Sequence, residues 1–296
     1  MTNPLVLALN PSIDVEWRVR EVLWEEKNNI DSERRWAGGK GINVVRWLRH
    51  LGSKPRLLLP LGGRSGTELS AHLRNETIRA QIVPIREATR TNIIVTAQSG
   101  RQMRFNPLGP KLSSTDWAQI QMAVRKLLSP GDLLILSGSL PRGVPTNAYF
   151  RLIHLARRLK VKTLVDCDGA PLRVAVKAHP FLVKPNEHEL AQWWGRPVRS
   201  EAGLLEAARR LSEATHGWVL VSRGAQRGLL INSAENFQSF AVPPRGKPRN
   251  TVGAGDALLA AVAREIQLGH APGEWLRQGL RIGTRATQLP AGTLPA

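Results

Sequence analysis

The chain has 296 residues, enough for one large α/β domain or two ordinary ones, and its 42% hydrophobic and 22% charged residues exclude a collagenous, low-complexity or disordered chain. Charge is the outlier: 42 Lys and Arg against 23 Asp and Glu give a formal net charge of +19, which raises nucleic acid or an acidic membrane surface as a partner. The surplus is spread evenly, +9 in residues 1 to 148 and +10 in 149 to 296, with basic runs such as Arg34-Arg35 no longer than pairs, so neither partner is expected.

In chain order, apolar runs of strand character fall at Leu5 to Leu9, Arg56 to Leu61, Leu133 to Leu136, Lys162 to Val165, Phe181 to Val183 and Trp218 to Val221. Helical periodicity lies between them at Ile42 to Leu51, Trp117 to Leu128, Ala148 to Leu159 and Glu201 to Ala214. That alternation predicts a mostly parallel sheet covered on both faces. Residues of about 11 to 36 and 88 to 108 break the pattern. The second stretch reads as a hairpin, Thr91 to Ala97 and Gln102 to Asn106, and the two together predict a small β lid on one continuous domain spanning 1–296. The single Cys167, read as a buried strand cysteine, cannot form an intramolecular disulfide. The N-terminus lacks a basic region before its short apolar run, and no stretch approaches the roughly 20 apolar residues of a membrane span, so a cytoplasmic protein is expected. Most of the nine Trp, such as Trp47 and Trp117, are expected to fill the core.

Two glycine clusters carry the chemistry. In Asn250-Thr251-Val252-Gly253-Ala254-Gly255-Asp256, small residues enter an Ala/Leu-rich helix, so the amides of Gly253 to Asp256 converge at its N-terminus as an anion site. Asp256 in the first turn faces the same place, where a carboxylate can take a proton from a hydroxyl that attacks a phosphoryl group; the same residues also make an ordinary capped helix start. In Ala37-Gly38-Gly39-Lys40-Gly41-Ile42-Asn43, glycines again enter a helix. Asn43 offers a donor and an acceptor for a sugar hydroxyl, while Lys40 reads as a surface residue of the glycine turn. Neither cluster fits the Walker or dinucleotide fingerprints.

Together with Leu9-Asn10-Pro11-Ser12-Ile13-Asp14, Thr89-Arg90-Thr91-Asn92, Gly138-Ser139-Leu140-Pro141, Lys184-Pro185-Asn186-Glu187-His188-Glu189 and Ser222-Arg223-Gly224, these clusters resemble the signatures of the ribokinase-like (PfkB) carbohydrate kinases, most closely the phosphohexose branch. The resemblance implies a ribokinase-like three-layer αβα fold with a mainly parallel central sheet and a small β-sheet lid. It implies ATP and Mg2+, with a sugar phosphate as acceptor. Asp256 would be the general base, with Gly253, Ala254 and Gly255 as an anion hole. Asp14, Gly38, Gly39 and Asn43 would bind the sugar; Arg90, Ser139 and Lys27 would take its phosphate. Lys184, Asn186, Ser222 and Gly224 would line the nucleotide site, with Asn186 and Glu189 organising Mg2+ through water. Lids of this family often pair between subunits, so a homodimer is expected. The alternatives are a kinase of an unphosphorylated sugar or nucleoside, and a non-catalytic nucleic-acid-binding or regulatory protein on the same fold.

Overall fold

The structure is a computed structural model that describes residues 3–295. Along the chain, β1 (Pro4–Leu7) leads into β2 (Ser12–Val19) and β3 (Ser32–Gly38), followed by α1 (Lys40–His50), β4 (Arg56–Leu61), α2 (Gly63–Asn75) and β5 (Ala80–Pro84). A hairpin of β6 (Arg90–Ala97) and β7 (Gln102–Phe105) precedes α3 (Ser114–Leu127), β8 (Leu133–Ser137), α4 (Ala148–Arg158), β9 (Lys162–Asp166) and α5 (Gly169–Ala175). Then come β10 (Leu182–Val183), α6 (Glu187–Trp194), α7 (Glu201–Thr215), β11 (Trp218–Val221), β12 (Gly228–Asn232), β13 (Phe237–Ala241), α8 (Ala254–Leu268) and α9 (Pro272–Thr287).

Nine strands form the central sheet in the order β13-β12-β11-β10-β9-β8-β1-β4-β5, parallel except where β12 and β13 turn back at one edge. The period of two in β1 sorts its side chains between two cores. Leu5 and Leu7 join the layer of α3 to α7, while Val6, and Ala8 just past the strand, join that of α1, α2, α8 and α9. The expected three layers follow from that division. Strand order reverses between β1 and β8, so the carboxyl ends of these neighbours open a crevice of the kind that holds ligands in doubly wound sheets.

The expected lid is a separate four-stranded sheet, β3-β2-β6-β7, with β2 and β6 parallel and the two outer pairs antiparallel. Register places Asp14 between Trp36 on β3 and Asn92 on β6. Helix α9 carries Gly279 and Gly283 on its buried face. Both glycines face α8: a Cβ at Gly279 would lie 2.9 Å from Val262 Cγ2, and one at Gly283 would lie 3.2 Å from the Ala254 carbonyl oxygen. The close approach they permit seats α9 against the start of α8. Cys167 is buried, though it sits one residue past the end of β9 rather than within a strand. Trp47 and Trp117 are core residues as expected, whereas Trp24 is 76% exposed. Among the described residues no helix is long and apolar enough to cross a membrane.

Candidate active site

One cleft of about 1270 Å³ runs between the lid and the carboxyl ends of the central strands. Of the site residues expected from sequence, all but Lys27 and Gly38 line it.

At its centre, Gly253 adopts a left-handed φ of 81° as the N-cap of α8, a conformation open to glycine at little cost. The turn before it is braced by Asn250, whose Oδ1 accepts from the Val252 amide at 3.1 Å. The first amides of α8 have no carbonyl within the helix to bond, and they sit at the positive end of its dipole. Asp256 in this first turn is buried, and its Oδ2 accepts from Asn43 Nδ2 at 2.8 Å. Burial, reinforced by the nearby Asp166 carboxylate, pushes Asp256 up to about 6 against the opposing pull of Lys40, Asn43 and Lys184. A carboxylate with that affinity is a competent proton acceptor near neutral pH.

On the lid side, Asp14 Oδ1 accepts from Ser12 Oγ at 2.7 Å and from Asn92 Nδ2 at 2.8 Å. Burial raises its pKa, and those two bonds oppose the rise. Gly38 stands directly behind it: a Cβ there would lie 2.2 Å from Asp14 Cγ, so glycine makes room for the carboxylate rather than touching the cleft. Arg90 donates from Nη2 to the Asn10 carbonyl at 2.9 Å and from Nη1 to the Pro107 carbonyl at 3.0 Å. Asn10 Nδ2 in turn donates to Ser139 Oγ at 3.0 Å, so Arg90 and Ser139 meet through Asn10 at the switch point. Arg104 and Asn106 reach the same half of the cleft from β7 and its exit.

Between the two halves lies an ion triad that motif reading missed. Asp166, at the end of β9 and 1% exposed, takes Lys40 Nζ at 3.1 Å on one oxygen and Lys184 Nζ at 3.3 Å on the other. Burial alone would raise Asp166, but the two ammonium groups bring it below the ordinary range. The same contact holds the Lys40 ammonium above its usual range. Lys40 is therefore half-buried and paired, not the surface residue expected of a glycine turn: the turn aims its side chain inward over the sheet. A Cβ at Gly255 would meet Lys184 Nζ at 3.4 Å, so this cation stands beside the amides at the start of α8.

Asn186 and Glu189 form a reciprocal capping box on α6, each side chain accepting the other's backbone N–H at 2.8 Å. Ser222 pairs with Asn186 through an isolated bridge, and Arg223 donates to Glu187 Oε2 at 2.8 Å. Gly224 follows with a φ of 58°, and residues 242–246, Pro248 and the end of α9 close this half. Lys27 sits instead on the exposed connection between β2 and β3, outside the cleft; nothing in the hydrophobic pattern of that loop signals where its tip points. Asn10 and Asn92 belong to sequence motifs that do not reveal their bonding partners, whereas Asp166 belongs to no motif.

Residues 9–295 match the pfkB family of carbohydrate kinases. The D-tagatose-1-phosphate kinase of Bacillus licheniformis is 31% identical over 278 residues, 94% of this chain and 90% of the relative. The ATP-dependent 6-phosphofructokinase isozyme 2 of Escherichia coli is 32% identical over 296 residues, covering 99% and 94% of the two chains. The crystal structure of Escherichia coli phosphofructokinase-2 in complex with substrates and products superposes with a TM-score of 0.91 at 30% identity, covering 97% of this chain and 94% of that one. The chain thus belongs to the pfkB family of carbohydrate kinases, with the ribokinase-like fold. Its similarities put it in the phosphohexose branch, among the sugar-phosphate kinases.

Proposed function

We propose that this chain, acting as one ribokinase-like domain, transfers the γ-phosphate of ATP to a hydroxyl of a ketohexose phosphate: fructose 1-phosphate, fructose 6-phosphate or tagatose 6-phosphate. The observation that carries the reading is the buried Asp256 carboxylate, held by Asn43 at the start of α8 in the cleft that Asp14 and Arg90 also line on one side and Asn186 and Ser222 on the other. In this reading Asp14, Gly39 and Asn43 hold the sugar, while Arg90 and Ser139 take its existing phosphate. Lys184, Asn186, Ser222 and Gly224 line the ATP half.

The acceptor hydroxyl gives its proton to Asp256 as its oxygen bonds the γ-phosphorus, and the bond from that phosphorus to the ADP oxygen breaks. Charge developing on the transferred group meets the amides of Gly253, Ala254 and Gly255 and the Lys184 ammonium. Lys40 and Lys184 sharing Asp166 keep two cations near the phosphates at the cost of one buried acid. Among the described residues no cluster of three or more His, Cys, Asp and Glu forms a metal cage. The donor set suits Mg2+ held by ATP and water, because the cap uses Asn186 Oδ1 and one Glu189 oxygen and leaves the second Glu189 oxygen to orient a coordinated water. Bound there, the ion would screen the phosphate charges.

The lid and its flanking loops expose Leu23, Trp24, Phe105 and Leu108, which we read as the surface where two copies pair. A cytoplasmic location belongs to the same reading. The test is ADP release with fructose 1-phosphate, fructose 6-phosphate, tagatose 6-phosphate, tagatose 1-phosphate, fructose and ribose. Turnover well above background is expected only on phosphorylated ketohexoses. Equal turnover on free sugars would refute the acceptor class, and none on any sugar would favour a regulatory protein on the kinase fold.

A further inference from the structure

Arg46 projects from α1 one turn after Asn43 and is 5% exposed although it carries a full charge. A guanidinium that deep needs a partner of matching geometry. Glu76, at the end of α2, supplies it: Arg46 Nε lies 2.6 Å from Oε2 and Nη2 lies 2.5 Å from Oε1. This fork turns Nη1 toward Asn43, whose Oδ1 lies 3.5 Å away. On its other side, Asn43 donates Nδ2 to Asp256 Oδ2 at 2.8 Å. Arg46 also borders a cavity of about 20 Å³ shared with Asp14, Asn43 and Gly253, and its charge favours the ionised form of Asp14.

A carboxamide is turned one way or the other only by its neighbours. With Oδ1 toward the guanidinium and the NH2 group toward the carboxylate, both contacts attract. Rotated by half a turn, Oδ1 would face a carboxylate and the NH2 group a cation, and both would repel.

We propose that Arg46, clamped by Glu76, is a positioning residue for phosphoryl transfer: it fixes the Asn43 carboxamide so that Nδ2 anchors one oxygen of Asp256 and leaves the other free to take the substrate proton. The proposal rests on the reading of Asp256 as the general base. Asp256 is also faced by Asp166 from β9, Lys40 from α1 and Lys184 after β10, contacts that substitution of Arg46 leaves in place. The Asn43 bond pulls the pKa of Asp256 down, so loosening it moves the acid limb of turnover upward.

The experiment compares Arg46→Met, Glu76→Gln and Asp256→Asn with the wild type, reading kcat against pH, both KM values and the Asn43 side-chain amide by NMR. In Arg46→Met, kcat is expected to fall about 10- to 100-fold, the acid limb to move to higher pH, KM for ATP to stay put, and the two Asn43 amide proton signals to shift toward those of a free carboxamide. Glu76→Gln, at a half-exposed position, is expected to move the same readouts in the same directions by less, and it decides the matter if Arg46→Met does not fold. A folded Arg46→Met, or failing that Glu76→Gln, with wild-type kcat, acid limb and amide signals overturns the proposal. If Asp256→Asn is inactive in that case, only the positioning role of Arg46 falls. Near wild-type turnover in Asp256→Asn removes the base reading and this proposal with it.

Discussion

Asn43 and Asp256 stand 213 positions apart in the chain, yet Asn43 Nδ2 donates to Asp256 Oδ2 at 2.8 Å. One comes from α1 and the other from the first turn of α8, so this bond joins two helices that line the same cleft. With burial and Asp166 raising Asp256 to about 6, its carboxyl is half ionised only slightly below neutrality. Turnover should therefore fall about tenfold per pH unit below roughly 5 and level off above about 7. A kcat profile from pH 4.5 to 8 checks this, and a flat profile would remove Asp256 as the titrating base.

The same shift affects stability. An unfolded Asp ionises near 3.8, so well below that pH both states are protonated and Asp256 contributes no penalty. As pH rises from about 4 to about 6 the unfolded state loses its proton first, and the folded state is penalised for the buried carboxylate; above 6 the penalty is complete. Asp256→Asn should thus be more stable than wild type by about 1–3 kcal/mol at pH 8, the gain vanishing below pH 4. Urea unfolding at both pH values measures it.

Arg90 holds two carbonyls and stands beside Asn10 and Ser139. Loss of a charge-assisted contact to a phosphate costs about 1.5–3 kcal/mol, so Arg90→Ala should raise KM for a phosphorylated ketohexose about 10- to 100-fold. Free fructose should be affected far less. Equal losses on both sugars would show that Arg90 braces the Asn10 and Pro107 loops and does not read the phosphate.

Gly283 tests the seating of the first turn of α8. A Cβ there lies 3.2 Å from the Ala254 carbonyl and 3.3 Å from Leu258 Cβ, so Gly283→Val must push α9 away from the first turn of α8. A loss of about 1–3 kcal/mol is expected, with KM for ATP rising more than KM for the sugar. Unchanged melting and kinetics would show that the two helices have slack.

The sheet was readable where strands are uninterrupted apolar runs, as in Leu5 to Leu9, and the loop before α8 was readable because glycine, small residues and Asp256 are consecutive. Family resemblance added Asp14 and Arg90, whose neighbourhoods alone are ordinary. The Lys40, Asp166 and Lys184 triad was hidden because its members leave three different elements and meet only after the sheet forms. The hairpin of β12 and β13 and the glycine-bearing α9 escaped for local reasons. One forms an antiparallel edge of an otherwise parallel sheet, and the other trades helix propensity for close packing. Lys27 lies on the exposed connection between β2 and β3, outside the cleft of a single chain, and a phosphate role for it rests on the resemblance alone.

Phosphoryl transfer by Asp256→Asn tests the central claim most directly, measured as ADP release with saturating ATP and the best ketohexose phosphate at pH 8. Asn keeps the size of the side chain, so the circular dichroism spectrum and both KM values should remain near those of the wild type. The account predicts a kcat lower by about 10²- to 10⁴-fold. A kcat within a few-fold of wild type, in a variant that is folded and saturable, would contradict it.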